Sequence, residues 1–251
     1  MWPNASLAWL IVLTIQVLAS PAHAADSANM TMIGYSQDFR YFAFEQFGIQ
    51  DGSGYPYSEI FVIDLDNNEW VKGSPVRHVL EEDGATLGAA HSAAIARARP
   101  LMDALEITEP AMLLADLPAT QVGLNRISVA FDQWYNSIAG PAAPQPDGSS
   151  SRLVLSIEAI DVPKTGACTT YDDPVKGFEL SIMRHGNSEK TEIIHRDTSL
   201  PKSRGCPVAY DIAAVAAPAG EPESPTMVAL IGVYTWGFEG QDRRYIAVPF
   251  K

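Results

Sequence analysis

Apolar residues along this chain recur mostly at every second position, in short runs separated by turn-forming residues, with one stretch where the spacing lengthens to three and four. The alternating runs predict strands at Met32–Tyr35, Arg40–Phe47, Glu59–Asp64 and Glu69–Lys72. Ser36-Gln37-Asp38, the Gly-rich Gln50–Tyr57 and Leu65-Asp66-Asn67-Asn68 separate them as turns. Ile60-Phe61-Val62-Ile63 is apolar on both faces, as a covered strand is. Later runs at Arg126–Phe131, Arg152–Asp161, Phe178–Met183, Thr191–His195, Val208–Ala217, Met227–Tyr234 and Arg244–Phe250 continue the series.

The longer spacing joins Leu87, Ala90, Ala94, Ile95, Ala98, Leu101, Met102 and Leu105, which predicts an amphipathic helix lying on one face of a sheet. Asp83-Gly84 and Thr86 offer its start and Thr108-Glu109-Pro110 its end; Pro100 should kink or split it near Arg99. Gly140–Ser151 (GPAAPQPDGSSS) is a Pro/Ser-rich stretch, read as a long loop within one domain over residues 25–251. The expected fold is mainly β: antiparallel sheets in a sandwich or irregular two-sheet arrangement plus one helical region.

The first 24 residues carry no Lys, Arg, Asp or Glu. Leu7–Leu18 is too short for the roughly 20 apolar residues of a spanning helix. It leads to Ala22-His23-Ala24, a small-x-small cleavage pattern, so residues 1–24 read as a signal peptide cut after Ala24, with periplasmic or secreted delivery. The net charge of −13 disfavours nucleic acid and anionic lipid as partners. Cys168 and Cys206, an even count in an exported chain, are expected to form a disulfide. Closing that loop stabilises by about 4 kcal/mol on the chain-entropy account.

Gln37-Asp38-Phe39-Arg40-Tyr41-Phe42-Ala43-Phe44 matches Gln241-Asp242-Arg243-Arg244-Tyr245-Ile246-Ala247-Val248 at Gln, Asp, Arg, Tyr and Ala. Each copy reads as a turn followed by a strand. The N-terminal segment resembles one blade of a periplasmic β-propeller. A propeller needs at least four blades of about 40 residues, and only one and a half are legible. Residues 33–64, Asp197–Pro207 (DTSLPKSRGCP) and Gly237–Val248 (GFEGQDRRYIAV) resemble more closely a bacterial family of predicted secreted proteins, domain of unknown function 2259. The resemblance implies export and a shared domain; it implies no activity, cofactor or catalytic residue.

Candidate chemistry is sparse. Asp64, Asp66 and Asn68 alternate as calcium-loop ligands do, but Glu69 and Pro75 stand where that loop needs Gly and a bidentate Glu. In a simple hairpin His185 and His195 lie about 14 Å apart at roughly 3.4 Å per residue, too far to share a metal. No Gly-x-Ser-x-Gly elbow is present. No metal or cofactor is therefore expected. Carboxylates Glu45, Asp51 and Glu59 could serve a hydrolase of the cell envelope if two of them converged. Phe47–Tyr57 and Trp236–Arg244 combine aromatics, glycines and charge, as binding loops do. They nominate Tyr55, Tyr57, Trp236, Phe238 and Arg243 as contacts of a non-catalytic binding module. Its partner would be an envelope protein or a small ligand.

Overall fold

The computed structural model describes residues 25–132, 135–136, 140–141, 152–170, 172–184, 190–219, 226–238 and 240–251. The leader, most of the Pro/Ser-rich stretch and His185 lie outside the described residues. The chain begins with β1 (Asn29–Ser36), β2 (Tyr41–Ile49), β3 (Pro56–Asp64), β4 (Glu69–Trp70) and β5 (Val76–Val79). Helix α1 (Leu87–Ala104) and β6 (Ile107–Glu109) follow. These strands form an antiparallel sheet in the order β4-β3-β2-β1-β6, with β5 also pairing β3. Its first four strands run as a blade-like meander.

Next come β7 (Ala111–Asp116), β8 (Ser128–Asp132), a ribbon of β9 (Tyr135–Asn136) and β10 (Gly140–Pro141), β11 (Arg152–Asp161), β12 (Lys176–Arg184) and β13 (Lys190–Arg196). The chain ends with β14 (Pro207–Pro218), β15 (Met227–Trp236) and β16 (Gln241–Phe250). They make two further antiparallel sheets, β13-β12-β11-β8 and β16-β15-β14-β7.

The β16-β15-β14-β7 sheet is the central layer, because both of its faces are buried. On one face Ile212, Val215, Met227, Ala229, Ile231 and Val248 pack against Leu153, Leu155, Phe178, Leu180 and Ile182 of the β13-β12-β11-β8 sheet. On the other, Ala214, Val228, Leu230 and Tyr245 meet Tyr35, Phe42, Phe44 and Phe61 of the first sheet. This is why β15 is an almost unbroken apolar run where a half-exposed strand would alternate. Each fully buried aromatic or aliphatic side chain contributes roughly 1.5–3 kcal/mol of transfer free energy. The mainly-β, antiparallel expectation thus holds, with three stacked sheets rather than two.

Helix α1 covers the outer face of the first sheet. Thr86 caps it by accepting from Ala89 N at 3.2 Å, and buried Ala90, Ala94 and Ala98 let it approach Ile60 closely. The helix runs unbroken through Pro100 rather than splitting at Arg99. Buried Glu45 pins it: both carboxylate oxygens meet His91 Nδ1, at 2.7 and 2.8 Å, and one accepts from Ser58 Oγ at 2.6 Å. Strand β7, which the pattern did not reveal, is a six-residue edge strand lying directly after Pro110.

The outer edge of β16 would be left with unpaired backbone groups, a liability for any sheet. Residues 26–28 cover it: Arg243 N donates to Asp26 O at 2.9 Å and Ala28 N to Arg243 O at 3.1 Å. The Gln46 side chain takes over one step along, accepting from Tyr245 N at 2.8 Å.

Candidate binding site

The two segments singled out by their aromatics and glycines are hairpin tips. Trp236 and Phe238 are exposed at the β15–β16 tip, Phe238 almost wholly so, and Tyr55 is half-buried at the β2–β3 tip. Tyr57 and Arg243, nominated with them, are not displayed. Tyr57 is the second residue of β3, is buried, donates to Asp26 Oδ1 at 3.0 Å and lies under the Arg244 guanidinium, which is 4.8 Å from its ring centre. Arg244 in turn donates to Asp26 Oδ2 at 2.5 Å. Asp26 thereby ties the N-terminal segment to both hairpins, and its own N–H donates to Asp242 Oδ1 at 2.9 Å.

Arg243 lies within β16 and is only 8% exposed. The register explains its surroundings. Asp211, Gly232 and Tyr245 stand side by side across β14, β15 and β16, and Tyr234 pairs with Arg243 in the next row. All four side-chain-bearing residues therefore point from the same face of the central sheet. Gly232 supplies no side chain, and a Cβ there would sit 2.2 Å from Asp211 Oδ1. The Asp211 carboxylate leans into that notch, where Oδ2 accepts from Tyr234 O–H at 2.7 Å. Burial and this bond push the Tyr234 hydroxyl up to about 12, so it remains a donor at neutral pH. Burial also raises Tyr245, although the nearby Arg243 and Arg126 charges pull it back.

A cavity of about 240 Å³ opens beside this row. Asp211, Arg243 and Tyr245 line it together with Asn29 at the start of β1, Asp116 at the end of β7 and Thr120 in the following loop. Arg126 holds that loop, donating through Nη2 to Pro118 O at 2.7 Å and Gln121 O at 3.1 Å. Among the described residues, four buried side-chain polar atoms have no hydrogen-bond partner. Three belong to this neighbourhood: Arg243 Nε, Asp211 Oδ1 and Arg126 Nε; the fourth is Asp51 Oδ2 in the β2–β3 tip. A buried polar atom without a partner costs about 1–3 kcal/mol, more if charged.

A larger cleft, about 330 Å³, runs over the outer edge of β16 between Gln46, Glu59, Trp70 and Arg77 on one side and Ser203-Arg204-Gly205 on the other. Its charges are already matched: Glu59 pairs with Arg77 at 2.9 Å, Arg204 with Asp197 and Arg244 with Asp26. The Asp197–Pro207 motif is the tightest of these. Asp197, buried, meets His195 Nε2 at 2.9 Å and accepts from Phe178 N at 2.9 Å and from Arg204, whose guanidinium lies 5.0 Å from the Phe178 ring centre. Burial alone would raise Asp197, but the bonds from His195, Phe178 N–H and Arg204 outweigh it and hold the carboxyl below its usual range. Next to it, Cys168 and Cys206 are joined by a disulfide, Cα atoms 5.5 Å apart, as expected.

The carboxylates considered for hydrolysis are arranged differently. Glu45 pairs across the strands with Ile60 and Gln46 with Glu59, so Glu45 faces α1 while Glu59 faces the central sheet. Asp51 sits in the β2–β3 tip. Asp64, Asp66 and Asn68 form a turn in which Asp64 accepts from the backbone of Asp66 and Asn67 and pairs with Arg40 at 2.8 Å. The sequence could single out Arg243, but not Asp211 or Asp116: one follows Tyr210 in a long strand and the other ends an unrecognised one, and neither belongs to a motif.

Residues 43–251 match the family described as Predicted secreted protein (DUF2259). No curated protein and no solved structure matches the chain.

Proposed function

The chain belongs to the Predicted secreted protein family (DUF2259), and on that premise we propose that it is a non-catalytic binding protein of the cell envelope that takes a small polar ligand into the Arg243–Asp211 cavity. One observation carries this reading: Asp211, Asp116 and Arg243 bring charges of both signs to the wall of one cavity. Export would follow cleavage after Ala24, leaving Ala25 as the first residue. The disulfide fits an oxidising compartment. Tyr55, Trp236 and Phe238 would then form a secondary contact surface for an envelope partner at the hairpin tips.

The test is native mass spectrometry of the mature protein purified from its own envelope, alongside a crystal structure of the same material. A retained small molecule seated on Arg243 and Asp211, and absent from Arg243→Met, is the expected result. A protein of bare polypeptide mass whose cavity holds only water would overturn the proposal.

A further inference from the structure

Resting on that reading of the cavity, we infer that its ligand is a small zwitterion, a free α-amino acid, with its carboxylate on Arg243 and its ammonium group on Asp211. The charges facing the cavity are of both signs. Asp211 and Asp116 line it with Arg243, and Arg126 stands behind the loop that closes it. An anion alone would meet two carboxylates, Asp116 and Asp211, and a cation alone would meet the Arg243 guanidinium. Arg243 Nε and Asp211 Oδ1 are themselves closed off from the cavity, so the ligand would meet the other atoms of the Arg243 and Asp211 side chains. An uncharged polyol could bond to both. Hydrogen bonds with charge on both sides are roughly twice as strong as neutral ones, however, so separated opposite charges fit this pair better.

Size narrows the class further. At about 240 Å³ the cavity lies below the roughly 300–1,000 Å³ of pockets that take drug-sized ligands. That suits a single amino acid rather than a peptide. The rest of the lining is mixed: Asn29 and Thr120 offer polar contacts to a hydroxylated side chain such as that of serine, beside apolar Met30, Leu117 and Ala213.

The experiment is calorimetric titration of the mature, disulfide-bonded protein with L-serine, N-acetyl-L-serine, L-serine amide and glycerol. Wild type is compared with Asp211→Asn and Arg243→Lys, each checked for a native circular dichroism spectrum. L-Serine should bind. Capping its amine or its carboxylate should each weaken binding at least tenfold. Asp211→Asn should erase the preference for the free amine, leaving discrimination at the carboxylate intact. Equal binding of serine and its capped forms, or tighter binding of glycerol, would overturn the zwitterion while leaving the cavity a ligand site. Binding by none of the four probes, together with a cavity that holds only water after purification, would remove both.

Discussion

Two buried arginines set the two halves of this molecule apart. Arg204 is held by the Asp197 carboxylate and stacked on Phe178 and Tyr210, and Asp197 itself is saturated by His195 and the Phe178 N–H. Arg243 is just as deeply placed, yet its Nε has no partner and the nearby Asp211 offers an unpaired oxygen. Both segments belong to the motifs that carry the family resemblance, so motif membership does not distinguish them. What separates them is saturation. A charged cluster whose hydrogen bonds are made locks the chain in place; the one left open beside a cavity is where the proposed ligand would bind.

The comparison breaks first at Asp197. Asp197→Ala strips the partner from buried Arg204 and should cost about 3–5 kcal/mol in urea denaturation, the usual penalty for orphaning a buried charge. A loss near zero would mean that the cluster is not structural. The same site sets an acid limit. Because the folded carboxyl is held below its usual value, its contribution is present above the unfolded value near 3.9 and is lost as pH falls through the lower folded value. Stability measured from pH 5 downward should therefore fall, and Asp197→Asn should flatten that fall. At the alkaline end the sign reverses: Tyr210, pushed up to about 12 mainly by burial, contributes below pH ~10 and stops contributing as pH rises toward 12.

Removing the neighbouring disulfide, Cys168→Ala with Cys206→Ala, should cost about 4 kcal/mol, less any strain released. Arg243→Met should behave in the opposite way to Asp197→Ala. Arg243 donates to the neutral Ala28 carbonyl rather than to a carboxylate, so its removal breaks no ion pair among the described residues, and stability should change by less than about 1.5 kcal/mol while ligand retention disappears. A large destabilisation would show that Arg243 serves the fold through its bond to Ala28 O, at 2.8 Å. The smallest effect is expected at the hairpin tips, where Trp236→Ala, at an exposed position, should shift stability by about 0.5 kcal/mol or less and Tyr55→Ala, at a half-buried one, by little more. Loss of envelope-partner capture with an unchanged melting temperature would mark the tips as a contact surface.

Reading the chain alone located most of the strands, the helix and the cysteine pair, because each leaves a local mark. Alternation marks a strand with one dry face, three- and four-residue spacing marks the face of α1, and two cysteines in an exported chain point to each other. Strand β7 was hidden because six mostly apolar residues after a proline carry no periodicity that tells an edge strand from a loop. Tyr57 looked like a displayed aromatic. Only the docking of residues 26–28 along β16 shows that it is covered, and that contact joins positions more than 200 residues apart.

Sequence by itself therefore determined which stretches are extended or helical and which residues can bear charge, since both depend on neighbours along the chain. Tertiary structure alone decided which charges are answered. Whether Asp211 meets a partner depends on the cross-strand register that sets it beside Gly232 and Tyr245, and on which loops close over it. Those distances are fixed by packing between layers, which no local pattern encodes.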